Sequence, residues 1–208
     1  MNAHVNVLDV SRREAPGAPA TRLRILEGAA KAFGRTGYAE TTVDAIIAAA
    51  GVSRPSFYKF FRNKDEVFDL LHEMYALALI QAVKAAATST SDPQGKLELA
   101  TDAFLRQIAT TGRLAQALYS ESRKPGSRVA VRYRETVSVL TAFFGQQAAE
   151  MGIESLDPLV YGGLIAATEV IGMSLVHAAG PNGAQTERAR RAILTILRGA
   201  LQPLRARR

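Results

Sequence analysis

The chain has 208 residues, of which 48% are hydrophobic and 22% are charged, proportions typical of a soluble globular protein. It contains no cysteine, which excludes disulfides, thiolate metal sites and cysteine nucleophiles. Its three histidines, His4, His72 and His177, are widely separated in sequence, which argues against a histidine metal centre. We therefore predict neither a metal nor a cofactor.

The net charge of +7 is unevenly distributed along the chain. Residues 1–68 carry ten lysines and arginines against seven acidic residues, 69–180 carry nine against eleven, and 181–208 carry seven against one. Both ends are therefore basic, and the middle is near neutral. This pattern favours a polyanionic partner without identifying it.

The sequence offers no clear targeting or membrane segment. Residues 1–20 lack the apolar core of a secretory signal, so we expect a cytoplasmic protein. Residues 159–179 form the longest apolar stretch, but Glu169 lies at its centre. A carboxylate there would cost about 2.5–3.5 kcal/mol in lipid, by analogy with aspartate. We therefore expect a buried helix of a soluble protein and no membrane contact.

The first predicted helix begins near Thr21, after an arm over 1–19 that shows no periodicity. Gly34 and Gly37 are predicted to end it. Its apolar residues recur at helical spacing on one face: Leu23, Leu26, Ala30 and Phe33.

Three further helices follow closely. Thr42 is placed to cap a helix over 43–50, which Gly51 ends. Ser53 is placed to cap a short helix over 54–59. Asn63 is placed to cap a longer helix that continues to about residue 87.

The remainder of the chain is also predicted to be helical. No segment alternates polar and apolar residues for long enough to indicate a strand, so we assign an all-α fold. The predicted helices cover about 94–111, 113–121, 127–151, 157–179 and 185–201.

Two short helices joined by residues 50–53 are typical of a helix-turn-helix, whose second helix lies in the DNA major groove. Arg54 opens that second helix and can bind guanine through two hydrogen bonds. Ser56, Tyr58 and Lys59 can donate to phosphates from the same small surface.

Other residues of this segment fit the same interpretation. Thr42 lies at a helix N-terminus, where free N–H groups favour a phosphate. Phe57, Phe60 and Phe61 are expected to anchor the short helix in a core rather than to contact bases.

The stretch from Thr21 to about Leu71 resembles the DNA-binding domain of the tetracycline-repressor (TetR) family. The resemblance implies a three-helix DNA-binding domain, and a homodimeric regulator that is usually a repressor released by a small ligand. The matching residues are Gly37-Tyr38, Thr41-Thr42-Val43, Ala50-Gly51-Val52-Ser53-Arg54-Pro55-Ser56-Phe57-Tyr58, Phe60-Phe61 and Asn63-Lys64-Asp65. The DNA contacts expected from it and from the helix start are Thr42, Ser53, Arg54, Pro55, Ser56, Tyr58, Lys59 and Lys64.

We accordingly divide the chain into an arm over 1–19, a DNA-binding domain over 20–66, and a ligand-sensing and dimerisation domain over 67–208. Arg12 and Arg13 of the arm either follow the minor groove or remain in solvent.

The last two helices are expected to pair with their copies in a second subunit as a four-helix interface. The alternative is that their apolar stripes complete the core of a monomer. The expected interface residues are Gly163, Ala167, Val170, Ala189, Ile193, Ile196 and Ala200.

The resemblance also implies an effector cavity in the body of the chain. The predicted lining favours a small, mostly apolar effector of unknown identity. Glu169 is either a polar contact for that effector or a structural carboxylate with an internal partner. The candidate lining residues are Phe104, Ile108, Tyr119, Tyr133, Phe143, Phe144, Glu169 and Met173.

The sequence thus predicts a homodimeric repressor that binds a palindromic double-stranded DNA operator and is not an enzyme. One alternative is a helical small-molecule-binding protein or enzyme without a DNA role. Another is a TetR-like activator.

Overall fold

The computed structural model of the chain describes residues 20–150, 152, 156–177 and 183–201. The predicted arm over 1–19 and the basic end beyond residue 201 lie outside these residues. Every regular element in the described part is a helix, which confirms the predicted all-α class. The helices are α1 (Ala20–Glu40), α2 (Val43–Ala50), α3 (Arg54–Tyr58), α4 (Lys64–Thr88), α5 (Pro93–Thr111), α6 (Arg113–Ser122), α7 (Arg128–Glu150), α8 (Pro158–His177) and α9 (Gly183–Leu201).

Of the two glycines predicted to end α1, only Gly37 interrupts the helix. Gly34 does not end the helix but lies within it, where a β-carbon would be only 3.2 Å from the backbone nitrogen of Leu114 in α6. Gly37 does interrupt the helix, with φ 77° and ψ 177°, a conformation that only glycine adopts readily. Gly34 is therefore needed for close packing against α6, and Gly37 for its positive φ angle.

The chain forms two compact units. The N-terminal unit holds the described residues up to Ala78 together with Thr110–Tyr133. The C-terminal unit holds Leu79–Ala109 and the described residues from Arg134 onward. Helices α4, α5 and α7 contribute residues to both units.

The N-terminal unit has one continuous apolar core. Phe33 and Phe68 meet edge to face, with ring centroids 4.8 Å apart. The core connects the first three helices to α4, α6 and the start of α7, so the short α3 is held by tertiary packing. Its largest fully buried side chains are Phe33, Phe57, Phe68, Ile25, Leu26, Ile46, Leu71, Leu118, Val67 and Val129.

Helix α1 makes a backbone-close contact with α2 at Gly28. A β-carbon at this position would lie 2.5 Å from the nitrogen and 2.7 Å from the α-carbon of Ala50. Because these are backbone atoms, they cannot move away as a flexible side chain would. The absence of a side chain at Gly28 therefore sets the separation of the two helices.

We predict that Gly28→Ala destabilises the protein by about 1–3 kcal/mol, the usual cost of overpacking a core. Urea denaturation measures this change. Lys31→Ala is the matched control, because Lys31 is exposed on the same helix and its truncation should change stability by less than about 0.5 kcal/mol. Equal stabilities for the two variants would contradict the close contact.

In the C-terminal unit, α9 is anchored to α5 by ion pairs. Arg190 donates from Nε to Asp102 at 2.7 Å, and Arg198 donates from Nη2 to Glu98 at 2.5 Å. Ile193 is fully buried between these charged positions. One face of α9 is thus fixed within its own subunit.

Helix α8 is apolar but poorly covered. Only 22% of the segment Pro158–Val176 is buried, although this segment is long and apolar enough to span a membrane by length and composition. Leu159 is 84% exposed and Val170 is 58% exposed. The buried helix expected from the sequence is therefore not buried within a single subunit.

Candidate functional site

The turn between α2 and α3 depends on a left-handed glycine. Gly51 has φ 61° and ψ 39°, and the N–H of Val52 donates to the carbonyl of Ile47 at 3.3 Å. Arg24 of α1 donates from Nη2 to the carbonyls of Ala50, at 3.1 Å, and Gly51. Sequence reasoning missed Arg24, since its partners lie 26 and 27 residues away.

Both helices of this motif are capped as predicted. The Thr42 hydroxyl accepts from the N–H of Ala45 at 3.1 Å. The Ser53 hydroxyl accepts from the N–H of Ser56 at 3.3 Å, and the two serine hydroxyls lie 2.8 Å apart. Pro55 lies in the first turn of α3, where its missing N–H costs nothing.

Arg54 is exposed and forms an ion pair with Asp44. Its Nη1 lies 2.5 Å from Asp44 Oδ1, and its guanidinium lies 5.7 Å from the centre of the Tyr58 ring. The two side chains of the pair are 60% and 71% exposed, so the pair contributes about 0–1 kcal/mol and can open for another partner. This contact brings the N-termini of α2 and α3 together.

The surface around Arg54 combines an aromatic ring and a second cation. Tyr58 is 47% exposed, and Lys59 is exposed with its ammonium 5.9 Å from the ring centre of Phe60. Phe57, which directly precedes Tyr58, is fully buried. Helix α3 thus directs one side into the core and presents polar groups on the other. We call Thr42, Ser53, Arg54, Pro55, Ser56, Tyr58 and Lys59 the α3 surface.

Lys64 has a different position from these residues. Its ammonium donates to the carbonyls of Tyr38 at 2.9 Å, Ala39 at 3.0 Å and Thr41 at 2.8 Å. All three N–H donors of the ammonium are therefore used within the chain. The structure gives Lys64 the role of closing the C-terminal end of α1, where carbonyls lack helical partners.

Tyr38 completes this closure beside Lys64. Its hydroxyl donates to Asp65 Oδ1 at 2.7 Å, and the Lys64 ammonium lies 4.7 Å from its ring centre. Burial, followed by the hydrogen bond to Asp65, raises the pKa of Tyr38 to about 12. The hydroxyl therefore stays protonated and keeps donating at physiological pH.

We predict that Lys64→Met lowers the free energy of unfolding by about 1–3 kcal/mol, because three carbonyls lose their donor. Lys59→Met is the matched control and should leave stability unchanged, since Lys59 is exposed. Thermal or urea denaturation compares the two. If Lys64→Met leaves the free energy of unfolding unchanged, Lys64 has no structural role and only the predicted phosphate contact remains for it.

A second candidate site is a cavity of about 270 Å³ inside the C-terminal unit. Its walls come from the end of α4 and from α5, α7, α8 and α9, and they are mostly apolar. The lining residues are Leu79, Val83, Ala87, Pro93, Gln94, Lys96, Leu97, Ala100, Thr101, Phe104, Leu140, Phe144, Gln147, Ala148, Tyr161, Leu164, Ile165, Thr168, Glu169, Leu197 and Arg198.

The residues predicted for a cavity are only partly assembled here. Phe104, Phe144 and Glu169 line it, and Glu169 has an interaction of its own within the structure. Tyr119 and Tyr133 instead belong to the N-terminal unit, where their rings flank Arg123 at 5.0 and 4.8 Å. Three more lie in the C-terminal unit without lining the cavity: Ile108, Phe143 and Met173.

Phe104 forms a wall of the cavity through a close contact with Gly172 of α8. A β-carbon at Gly172 would lie 2.6 Å from the Phe104 ring. The glycine therefore lets the aromatic ring pack directly on the backbone of α8. Sequence reasoning selected Phe104 but not its partner.

The predicted interface residues divide into two groups. Ala189 and Ile193 are 5% and 0% exposed, so they belong to the core of the subunit and cannot also face a second one. Val170 and Ile196 are 58% and 38% exposed. Gly163 is exposed, and the last two are partly buried: Ala167 and Ala200.

Comparison with known proteins gives a family match for the segment containing α2 and α3. Residues 25–71 match the family described as bacterial regulatory proteins, tetR family. A similar protein is the uncharacterised HTH-type transcriptional regulator YhgD of Bacillus subtilis, 38% identical over 69 residues, or 33% of this chain and 34% of YhgD. The transcriptional activator FasR of Mycolicibacterium smegmatis is 25% identical over 135 residues, 64% of this chain and 62% of FasR.

Solved structures extend the similarity beyond the matched segment. The fatty acid degradation regulator FadR of Bacillus halodurans has a TM-score of 0.68, with 20% identity over 82% of this chain and 96% of its own. At this identity the match establishes the fold alone. The sequence matches themselves span only about a third of YhgD and less than two thirds of FasR.

Proposed function

We propose that the chain is a regulator of the tetR family, whose model matches residues 25–71, and that it is a cytoplasmic homodimer that binds a palindromic double-stranded DNA operator. The observation that carries this proposal is the α3 surface. Its base-reading candidate Arg54 is exposed at the first residue of a helix that is anchored from behind by Phe57. An exposed recognition helix on a rigid core is what major-groove binding requires.

Roles within the α3 surface follow from chemistry. Arg54 reads a guanine after releasing Asp44, whereas Tyr58 and Lys59 donate to phosphates. Thr42 adds the N-terminus of α2 as a further phosphate contact. Asp44 acts against binding until Arg54 leaves it, because its charge repels the DNA backbone.

We propose that two subunits associate through the exposed apolar side of α8 and the neighbouring side of α9. The support is that Leu159, Val170 and Ile196 are exposed on the single chain. Burying such apolar surface in an interface is favourable by about 25 cal/mol per Å². A two-fold dimer also matches two half-sites about 34–36 Å apart, or a multiple of that distance.

We propose repression rather than activation as the default output. Occupying promoter DNA is sufficient to block transcription, whereas activation needs a further contact with the polymerase. FasR is described as an activator. Expression of a reporter gene controlled by the operator therefore determines whether this protein represses or activates transcription. Loss of repression on adding an effector is the expected behaviour, and the C-terminal cavity is the proposed effector site.

The rival function is a small-molecule-binding protein or enzyme without a DNA role. The cavity suits either function, and the described residues contain no cluster of three candidate metal ligands. A mobility-shift assay on DNA flanking the gene, supported by selection from random duplexes, separates the two. Specific binding that weakens as the salt concentration rises supports the regulator. Failure to select any duplex sequence contradicts it.

We predict that Arg54→Ala weakens operator binding by about 1–3 kcal/mol and relaxes base preference at one position per half-site. Competition between operator variants measures the preference. Arg35→Ala is the matched control, because Arg35 is exposed on α1 outside the α3 surface. An unaltered base preference in Arg54→Ala would remove Arg54 as the base reader.

We predict that Val170→Glu yields monomers at micromolar concentration, because it introduces two charges into the proposed interface. Sedimentation measures the change. Val139→Glu is the matched control: Val139 is 42% exposed on α7, so this variant should remain a dimer. A dimeric Val170→Glu protein would show that the interface lies elsewhere.

A further inference from the structure

Two polar groups in the wall of the cavity are buried without a hydrogen-bond partner. They are the hydroxyl of Tyr161 and Nε of Arg198. Buried polar groups normally find partners, and leaving one without a partner costs about 1–3 kcal/mol. Both residues line the same cavity, so a molecule bound there is the candidate partner of both groups.

Tyr161 is held firmly in place. It lies in the first turn of α8, is 7% exposed, and packs its ring at 3.9 Å from the β-position of Gly145 in α7. Because the ring is fixed between two helices, the hydroxyl cannot turn to solvent. It can donate or accept a hydrogen bond.

Arg198 is held by its other end. It lies in the last turn of α9, and its Nη2 donates to Glu98 Oε1 at 2.5 Å, which orients the guanidinium. Its Nε–H is a donor only and points at no acceptor of the described chain. The group that completes it must therefore be a hydrogen-bond acceptor.

The charge of the lining also favours an acceptor that is an anion. Lys96 and Arg198 are cationic, and Glu169 is the one carboxylate among the lining residues. Lys96 donates to Gln147 Oε1 at 2.5 Å, an uncharged partner. A carboxylate can accept from Tyr161 and Arg198 with its two oxygens, whereas a protonated amine has no acceptor for the Nε–H of Arg198.

The rest of the lining selects an apolar body for the same molecule. Phe104, Leu140 and Phe144 are representative of its walls, and the polar side chains are few. The volume of about 270 Å³ corresponds to roughly nine water molecules at ~30 Å³ each, so it suits a molecule of about ten heavy atoms.

We propose that the cavity binds a small amphipathic carboxylate, with its head on Tyr161 and Arg198 and its hydrocarbon body among the aromatic and aliphatic walls. This inference rests on the proposed function only in making the cavity the effector site. Binding itself is measured without DNA, so the two can fail separately.

The test uses octanoate, methyl octanoate and 1-octanol, which share a hydrocarbon chain and differ in the head group. Calorimetric titration of the purified protein should give the tightest binding for octanoate, roughly 10-fold or more above 1-octanol. Methyl octanoate, a neutral acceptor, should fall between them. Equal binding of octanoate and 1-octanol, or no binding of any of the three, overturns the proposal.

Two substitutions test the head-group site. Tyr161→Phe removes one unpartnered group and keeps the ring, and Arg198→Lys removes the other and keeps the charge. Each should lower the affinity for octanoate roughly 3- to 10-fold. Tyr75→Phe, in the N-terminal unit, is the matched control and should leave octanoate affinity unchanged. Full octanoate affinity in both cavity variants overturns the assignment.

Stability separates this role from a structural one. Removing a buried hydroxyl that has no partner should leave the melting temperature of ligand-free Tyr161→Phe unchanged or higher, whereas a structural hydroxyl would lower it. A lowered melting temperature without octanoate therefore also counts against the proposal. If octanoate binds as expected but does not release operator DNA, the inference stands and the proposed effector response fails.

Discussion

The architecture of the N-terminal unit depends on the contact between the backbones of α1 and α2 at Gly28 and Ala50. Nothing larger than a hydrogen atom fits there, and this closeness lets Arg24 reach the carbonyls that end α2. The turn that follows is thereby fixed at Gly51, and the turn determines where α3 begins. The orientation of Arg54 is thus the last step of a chain of contacts that starts in a helix with no proposed base contact.

Two cations of this unit are held in different ways. On the α3 surface, Arg54 has only a solvent-exposed partner, so its interaction is weak and exchangeable. Lys64, by contrast, gives all its donors to backbone carbonyls and stabilises the end of α1. Two cations ten residues apart therefore differ in how firmly they are held, because of their partners. Sequence alone assigned both of them to DNA.

Local signals in the sequence were sufficient for most of the fold. Thr42, Ser53 and Gly51 act on neighbouring backbone atoms, so their caps and turn follow from spacing alone. The sequence could not reveal contacts between distant segments, which decide that Gly34 stays helical and that Tyr161 faces a cavity. Burial of Ile193 inside its own subunit was equally invisible, because an amphipathic helix has the same pattern whether its partner is internal or a second copy. The cavity residues were the least predictable, since apolar side chains look alike until the helices are packed.

The bare apolar side of α8 has a consequence for how the chain exists in a cell. In the proposed dimer this surface is covered, so assembly stabilises the fold and the stability depends on how much of the chain is present. Dilute, newly made subunits are then the most vulnerable to proteases and aggregation. The proposed dimeric regulator would thus have a lower limit of abundance, below which its subunits are degraded faster than they assemble.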